Sequence, residues 1–386
     1  MASTVFDYAI IGAGAAGLHL AMAIAADPYF HSKKLLIVEK ETQKNHYPTW
    51  CFWEKGKGKW DEIISKSWNK TIFTGQDGTQ HNFDLGAYTY KMVHGRDFYR
   101  EAKRRLEGSK HSTWAQGDVV DVIQGLPNRI KTKSGDEYLA KHVFDSRIDR
   151  DFFEEKGRYS YLKQHFEGWV IETRQDVFDP EVFTMMDYSL VHPGTTSFTY
   201  ILPYETNKAL VEYTFFSPHL VANEVYETCL KEYIKKNLRV DAYEIVSKES
   251  GVIPMSDYPF YQLNNEFLTK IGTAGGWVKG STGYSFKNAE RKSQSLLENI
   301  RKGKVPGAGL TKRRFRFYDS LFLDVLYNHN EIGPSLFNTM YHKNNIETIF
   351  SFLDEETTFG KEIEVMNTFE RWLFLKTILK RLLRMD

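Results

Sequence analysis

Three glycines near the amino terminus have the spacing of a turn that binds a phosphate group. Gly12, Gly14 and Gly17 follow a buried apolar run at residues 5–11 and precede a helical run at residues 18–26. Gly12 permits a tight turn, Gly14 a close approach of backbone to a pyrophosphate, and Gly17 close packing of helix on strand. The helix would present free N–H groups and a positive dipole end to the phosphates.

An acidic residue completes the unit. A second strand is predicted at residues 34–39, and it ends at Glu39. The Glu39 carboxylate could accept hydrogen bonds from both ribose hydroxyl groups. Glutamate rather than a basic residue disfavours a 2′-phosphate. The strand, turn, helix and acid together predict a dinucleotide site, but the turn alone does not separate NAD from FAD.

A second glycine-rich segment favours FAD. Residues 272–277, Gly-Thr-Ala-Gly-Gly-Trp, follow a strand-like run and lead through residues 281–286 into a predicted helix. In flavoproteins with a dinucleotide-binding fold, a late segment of this kind approaches the ribityl chain and the flavin. The cofactor-binding candidates are Gly12, Gly14, Ala15, Ala16, Gly17, Glu39, Arg96, Asp145, Gly272, Gly275, Gly276, Thr282 and Gly283.

The elements around these motifs predict an α/β (α+β) fold. Residues 46–90 read as loop-rich and aromatic, residues 165–216 alternate as β-strands do, and helical patterns dominate after about residue 315. We expect a Rossmann-like FAD-binding domain, an interleaved antiparallel-sheet substrate domain and a helical C-terminal region. Their expected ranges are 1–45, 90–150 and 265–302 for the first, 46–89 and 151–264 for the second, and 303–386 for the third.

Composition narrows the function classes. The chain has 386 residues, a net charge of +1 and two cysteines, so neither nucleic acid binding nor a disulfide framework is expected. The histidines show no metal-ligand spacing, which predicts no metal. The start lacks a basic and apolar leader, and no apolar run is long enough to span a membrane, so we expect a cytoplasmic protein.

Short segments spread along the chain carry a more specific signal. Besides the amino-terminal turn, they are residues 49–53, 144–147, 164–169, 185–188, 200–203, 210–214, 251–255 and 272–284. In this order they resemble the lycopene cyclase family, in particular bacterial lycopene β-cyclases, over roughly residues 1–300. The resemblance implies an FAD domain, a substrate-capping sheet, and a reaction that has no net redox change yet needs reduced FAD, with NAD(P)H as a candidate electron donor. The implied substrate is lycopene, and the product γ-carotene or β-carotene.

The implied reaction needs an unusual acid. Cyclisation of a ψ end group begins with protonation of C2, and an alkene is so weak a base that the acid must be neutral near pH 7 in a dry site. Glu212 lies in an apolar strand and matches the family's essential acid, although the pattern alone also permits a solvent-facing glutamate. Burial would raise its pKa. Asp187 and Glu172 are secondary catalytic candidates.

The carbocation that follows must be stabilised by negative electrostatic potential from groups that do not react with it. Aromatic faces provide such potential, and reduced anionic flavin could supply the same potential or take the departing proton. Most aromatic residues of the chain are expected to be core. The substrate-contacting and cation-stabilising candidates are Trp50, Phe52, Trp53, Trp169, Trp277 and Tyr284.

The chain departs from its relatives in three places. Tyr213 stands where many relatives carry a second consecutive acid, so any role of that acid is lost. Thr273 replaces an aspartate that is frequent in the late glycine-rich segment of related flavoenzymes. Asp145-Ser146-Arg147 stands where such enzymes often have Asp-Ala-Thr-Gly. The last two changes concern flavin binding.

The C-terminal stretch is amphipathic. Apolar residues recur at helical spacing on one side and basic residues lie on the other, namely Trp372, Leu375, Leu379 and Leu382 against Lys376, Lys380, Arg381 and Arg384. Two interpretations stay open, a packed surface helix and a helix on the membrane surface that holds lycopene. The second predicts a peripherally membrane-associated protein.

Two other functions remain open at this stage. A redox flavoenzyme of the same fold, such as a prenyl-chain reductase or an aromatic monooxygenase, would oxidise NAD(P)H in step with its substrate. A non-enzymatic lipid carrier would bind an apolar chain without turnover, and Glu212 would be dispensable in it.

Overall fold

The computed structural model describes residues 4–41, 47–109, 111–154 and 158–383. Its strands are β1 (Val5–Ile11), β2 (Leu35–Glu39), β3 (Thr49–Lys55), β4 (Lys66–Trp68), β5 (Lys70–Thr74), β6 (Gln80–Asp84), β7 (Tyr88–His94), β8 (Ser112–Gln116), β9 (Val119–Ile123), β10 (Asn128–Thr132), β11 (Glu137–Asp145), β12 (Tyr161–Thr173), β13 (Val182–Asp187), β14 (Thr196–Glu205), β15 (Lys208–Ser217), β16 (Tyr243–Ser256) and β17 (Leu268–Lys270). Its α-helices are α1 (Ala15–Ala26), α2 (Gly95–Glu107), α3 (Asp151–Glu154), α4 (Asn223–Lys236), α5 (Phe286–Arg301), α6 (Arg313–Asn328), α7 (Gly333–Lys343), α8 (Ile346–Leu353), α9 (Phe359–Met366) and α10 (Arg371–Leu383).

The first sheet contains the predicted strand–helix–strand unit. Its strand order is β8-β2-β1-β11-β10-β9, and β17 pairs with β11. The strands β8, β2, β1, β11 and β17 run parallel, whereas β10 is antiparallel to its two neighbours, β11 and β9. Because parallel strands end at one edge, Ile11, Glu39, Asp145 and Lys270 end their strands side by side there. The predicted α/β class is confirmed.

The central strands of this sheet are apolar because both faces are covered. Ile10 and Ile37 pack on one face with α1, α2 and α5. Ile11 and Val38 pack on the other face with residues of β9 and β10, such as Ile130. The carboxyl edge is therefore held rigidly from both sides.

The second sheet has the order β16-β12-β15-β14-β13-β5-β6. It is antiparallel except for the parallel pair β13 and β5. One face packs on α4, through residues such as Leu230 and Ile234. The other face contributes to a core shared with the C-terminal helices, including Leu323 of α6 and Phe350 of α8.

The alternation along β15 shows how the two faces differ. Residues 209, 211, 213 and 215 pack in the core against α4. Residues 210, 212, 214 and 216 line a cavity on the opposite face. A strand covered on both sides must be apolar nearly throughout, so the single acid Glu212 on the cavity side is a marked exception.

A small third sheet joins the two large ones. Its order is β3-β7-β4, all antiparallel. The expectation that residues 46–90 are loop-rich was therefore wrong, because five strands lie there. They are short, from three to seven residues, so periodicity within the segment was a poor guide. Strand β7 also spans the domain boundary that we expected between residues 89 and 90.

Helices α6 to α10 follow one another after residue 312, as the helical pattern predicted. They cover the cavity face of the second sheet. Among the helices of the described residues, none is both long enough and apolar enough to cross a membrane.

Candidate active site

The turn after β1 has the shape that its glycines predicted. Gly12 has a φ of +92°, in the left-handed region that glycine adopts without strain. A Cβ on Gly17 would lie 2.0 Å from the Gly12 carbonyl oxygen, so α1 packs directly on the turn, whereas a Cβ on Gly14 would meet nothing within 4 Å. In α1, whose residues are all described, no side chain caps the amino terminus and the first turn holds no acid. An anion therefore fits at its positive end.

Glu39 is held beside this turn. Its Oε2 accepts a hydrogen bond from the Ala13 N–H at 2.5 Å, and its Oε1 accepts one from the Glu41 N–H at 3.2 Å. Arg96 is the second residue of α2, which packs against α1. Its side chain is exposed, with the guanidinium 6.0 Å from the centre of the Tyr47 ring.

The Asp145 carboxylate is paired with two neighbouring cationic side chains. Its carboxylate accepts hydrogen bonds from the Arg147 guanidinium at 2.9 Å and from the Lys270 ammonium at 3.1 Å. Burial alone would raise the pKa of Asp145, but the Arg147 hydrogen bonds and the Lys270 charge outweigh it, and the pKa lies below its ordinary value. The side chain thus ties the ends of β11 and β17 together, which accounts for its burial without a cofactor.

The late glycine-rich segment packs on the first one. Gly272 and Gly276 both have positive φ, at +61° and +64°. A Cβ on Gly272 would lie 3.2 Å from the Ala16 Cβ, in the first turn of α1. Thr273, Thr282 and Gly283 then line the cavity on the second sheet, so the dinucleotide turn and the cavity are neighbours.

A buried ionic cluster anchors this segment. The Lys279 ammonium pairs with Asp319 of α6 at 3.0 Å and with Glu355 at 3.3 Å. Ser281 donates a hydrogen bond to Asp319 at 2.7 Å. The segment is therefore fixed to the C-terminal helices as well as to α1, and no local pattern predicted this link.

The cavity itself is large and mostly apolar. Its volume is about 1690 Å³, well above the roughly 300–1,000 Å³ of most small-molecule pockets. Walls come from β3, from the cavity face of the second sheet, from residues 281–286, and from helices α6 to α10. A long apolar molecule fits such a space better than a compact polar one.

Glu212 is the acid on the wall of this cavity. It is 8% exposed, and its Oε1 accepts a hydrogen bond from the Thr214 hydroxyl at 2.7 Å. Burial raises the pKa of Glu212 to about 8, the neighbouring Glu249 adds to the rise, and the Thr214 hydrogen bond opposes it. The group is therefore mainly a neutral carboxylic acid at pH 7, which can donate a proton.

Comparison with known proteins decides the family. A sequence model described as “Lycopene cyclase protein” matches residues 7–371. The chain belongs to the lycopene cyclase family. A chloroplastic neoxanthin synthase from Solanum tuberosum is 24% identical over 319 residues, which make up 77% of this chain and 61% of that relative. The chain thus spans less than two thirds of the relative's length.

Solved structures share the arrangement of elements. A geranylgeranyl bacteriochlorophyll reductase-like protein from Thermoplasma acidophilum has a TM-score of 0.58 at 12% identity, covering 97% of this chain and 96% of that one. A probable FAD-dependent monooxygenase from Pseudomonas aeruginosa has a TM-score of 0.56 at 11% identity, covering 91% and 100%. At these identities the likeness establishes a common fold.

Three of the six predicted aromatic residues reach the cavity of this family member. Trp50, Trp53 and Tyr284 line it. Trp53 stacks on Phe350, with ring centres 4.4 Å apart, and meets the Tyr284 ring edge-on at 4.5 Å. Its indole N–H also donates to Asp354 at 2.9 Å. These contacts fix the Trp53 plane at the cavity wall.

The other three aromatic residues do not line it. Phe52 and Trp277 are buried in the core around α1 and α5. Trp169 follows Gly168 on β12 and so points to the opposite face of the sheet, where it packs against α4. Alternation along a strand predicts two faces, but it does not say which face will carry the cavity.

The two secondary acids lie outside the cavity lining. Asp187 accepts hydrogen bonds from the Ser189 hydroxyl and the Tyr233 hydroxyl, both at 2.5 Å, and so links β13 to α4. Glu172 is exposed near the end of β12 and pairs with Lys208 at 3.2 Å. Neither placement suits a proton donor to a substrate beside Glu212, and both side chains have structural partners.

Sequence reasoning missed several polar groups of the cavity wall. Glu249 lines it from β16, a strand that the charged sequence at residues 243–250 did not predict. A chain of phenols lies nearby, in which the Tyr90 hydroxyl is 2.8 Å from that of Tyr200 and 3.0 Å from that of Tyr284. These tyrosines come from distant segments, so only the folded chain brings them together.

Proposed function

We propose that this chain converts the ψ end groups of lycopene to β rings, giving γ-carotene and β-carotene, in a reaction without net redox change. The observation that carries the proposal is the position of Glu212, a buried and mainly neutral acid on the wall of an aromatic cavity. Membership of the lycopene cyclase family supports it.

The chain's residues suit the individual steps. Glu212 would donate its proton to C2, the C5=C6 double bond would attack the cation at C1, and loss of the proton from C6 would complete the ring. Since an alkene is a very weak base, the raised pKa of Glu212 and the exclusion of water both favour the first step. The faces of Trp50, Trp53 and Tyr284 would stabilise the cation without reacting with it.

We further propose that FAD occupies the cleft at the carboxyl edge of the first sheet. The open space at Gly14 and the uncapped start of α1 suit its pyrophosphate, with the N–H groups of Ala15 and Ala16 nearby, and Glu39 suits its ribose. Thr282 and Gly283 would lie at the flavin end, because they line the cavity. Reduced FAD would supply negative charge beside the carbocation, with NAD(P)H as the proposed electron source.

Substrate access is proposed along α10. Leu375 and Ile378 line the cavity, while Trp372 and Leu379 are exposed apolar side chains of the same helix. An apolar surface continuous with an apolar cavity suits a lipid-dissolved substrate, so we propose peripheral membrane contact here. Arg381 was expected on the basic side, but it pairs with Asp257 at 2.5 Å; Arg384 lies outside the described residues, as do the side chains of Lys380 and Leu382.

Expression in a lycopene-accumulating bacterium tests the function. Pigment chromatography should show γ-carotene and β-carotene in place of lycopene. Unchanged lycopene, with the flavin bound and the protein folded, would contradict the proposed function. Consumption of NAD(P)H in step with substrate would instead assign a redox flavoenzyme.

A further inference from the structure

Gly168 stands between two glutamates of the second sheet. In the ladder of β12 it pairs with Glu212 of β15 on one side and with Glu249 of β16 on the other. Since neighbouring strands lie about 4.8 Å apart, the two glutamates are separated by two such spacings. A Cβ on Gly168 would lie 3.3 Å from both the Glu212 Cβ and the Glu249 Cγ. The missing side chain lets both acids lean over the same stretch of cavity wall.

One thiol and three phenols lie around this pair. Burial raises the pKa of the Cys51 thiol to about 12. Burial likewise holds the pKa values of Tyr200, Tyr204 and Tyr284 above that of an ordinary tyrosine. All four side chains are neutral at pH 7, so they do not offset two negative charges.

The nearest lysine in the chain is also part of the cavity lining, but its ammonium is paired with other groups. Lys248 precedes Glu249 on β16, and its ammonium lies 4.9 Å from the centre of the Trp169 ring and 3.2 Å from the Glu227 carboxylate. Trp169 belongs to the core on the other face of the sheet. When two neighbouring carboxyl groups are buried, the charge of one disfavours ionisation of the other, so the pair tends to keep one proton near neutral pH.

The proton belongs mainly to Glu212. Glu212 is buried, whereas Glu249 is half-buried and accepts a hydrogen bond from Thr49, which stabilises its ionised form. Burial raises the pKa of both groups, and the repulsion between their charges is mutual, so the deeper burial of Glu212 and the Thr49 hydrogen bond to Glu249 distinguish the two. Both differences favour a carboxylic acid at position 212 and a carboxylate at position 249.

We propose that Glu249 is the base of the reaction and accepts the proton that leaves C6 of the new ring. This inference rests on the cyclase function proposed above. The Glu212 O–H bond breaks as the C2–H bond forms, and the C6–H bond breaks as an O–H bond forms on Glu249. The proton then passes from Glu249 to Glu212, and the pair returns to its starting state with no net gain or loss of protons or electrons.

The test compares Glu249→Gln with the wild-type holoenzyme, using lycopene in liposomes and reduced FAD. Glutamine keeps the size and hydrogen bonding of the residue but cannot accept the proton. β-ring formation should fall about 100-fold to 10,000-fold. The residual product should be enriched in rings whose double bond lies at C4=C5 or outside the ring, because the C5 cation then loses a proton from another carbon. Loss of packing alone would not change the ring type.

The pH profile gives an independent reading. Removal of the Glu249 charge lowers the pKa of Glu212, so the loss of activity at high pH should move to a lower pH in Glu249→Gln than in the wild type. Glu244→Gln is the matched control, because Glu244 is an exposed glutamate on the same strand, and it should behave as the wild type.

Three outcomes are distinguishable. β rings alone at the wild-type rate from Glu249→Gln would overturn the inference and leave the cyclase function intact. Absence of cyclisation by the wild type would contradict the proposed cyclase function itself, whatever the result with the variant. If Glu249→Gln fails to retain FAD, Glu249→Asp replaces it, and its retracted carboxylate should still raise the share of other rings; β rings alone at the wild-type rate would again overturn the inference.

Discussion

Glu212 and Tyr213 are consecutive in the chain but face opposite sides of the second sheet. Glu212 lines the cavity, whereas the Tyr213 hydroxyl lies 3.1 Å from the Ser197 hydroxyl and donates to the Leu190 carbonyl at 3.1 Å, in the core against α4. A second acid at position 213 could not reach a substrate beside Glu212. The departure from the relatives at this position therefore leaves the cavity chemistry unaffected.

Tyr213→Phe should consequently separate stability from activity. Loss of the hydroxyl removes its hydrogen bonds in a buried site and should lower the free energy of unfolding by about 1–2 kcal/mol. Cyclisation by the folded fraction should not change. Denaturant unfolding together with a pigment assay measures both quantities, and a large loss of activity without loss of stability would place Tyr213 in the reaction.

Glu212→Gln should stop cyclisation. Glutamine keeps the size of the side chain but has no proton to give, and loss of one general acid costs about 100-fold to 10,000-fold in rate. Glu212→Asp should retain a trace of activity, because one fewer methylene retracts the acid from C2. The control is Glu205→Gln, an exposed glutamate on β14. Near-wild-type β-carotene from Glu212→Gln, with FAD bound and reduced, would exclude Glu212 as the donor.

The same substitution should stabilise the protein at high pH. Burial raises the pKa of Glu212 in the folded chain to about 8, above the ordinary value of 4.5. Between these values the unfolded chain ionises while the folded chain keeps the proton, so this group reduces stability progressively as pH rises from about 4.5 to 8. Glutamine does not ionise, so the Glu212→Gln variant should not lose stability in this way as the pH rises. Its melting temperature should exceed that of the wild type at pH 8 by more than at pH 4, and a difference independent of pH would contradict the buried neutral acid.

Gly14→Val should abolish FAD binding and spare the fold. Its Cβ would enter space that no protein atom fills, where we place the pyrophosphate. Gly108→Val is the matched control, since a Cβ there also meets nothing and Gly108 has an ordinary φ of −76°. Flavin absorbance of the purified proteins is the measurement. Full flavin content in Gly14→Val would show that the cofactor lies elsewhere.

Membrane contact through α10 is tested at its exposed apolar side chains. Trp372 is 76% exposed and Leu379 is 58% exposed. Replacing both by serine should reduce sedimentation with anionic liposomes. Leu126→Ser is the control, because Leu126 is 79% exposed on a loop far along the chain from α10. Equal sedimentation of the double variant and the wild type would defeat the idea.

The parts of the site that the sequence predicted are those with local signals. Gly12, Gly14, Gly17 and Glu39 lie within one strand–helix–strand unit, whose spacing follows from backbone geometry. Glu212 was singled out by its match to the family's essential acid, since its apolar strand alone also permitted a solvent-facing glutamate. For the glycines and Glu39, the physical reason for each residue is contained in its near neighbours.

The rest depends on pairing between distant strands. Glu249 lies on β16, an edge strand whose exposed and charged residues have no apolar alternation. Its position opposite Gly168 is a property of the β12–β16 register and of no local pattern. The wrong placement of Trp169 has the same origin, since only the assembled sheet shows on which side the helices leave a cavity.

The absence of a side chain at Gly168 limits which substitutions are compatible with activity at this position. A single added methyl group would come within 2.9 Å of Leu210 Cδ1 and crowd both Glu212 and Glu249. The fold could adjust to a change of this size, but the two acids would be pushed apart. A library randomised at this codon and selected for colour should therefore return glycine, whereas selection for soluble protein alone should also accept alanine and serine. At this position, substitutions should therefore abolish pigment formation before they abolish folding.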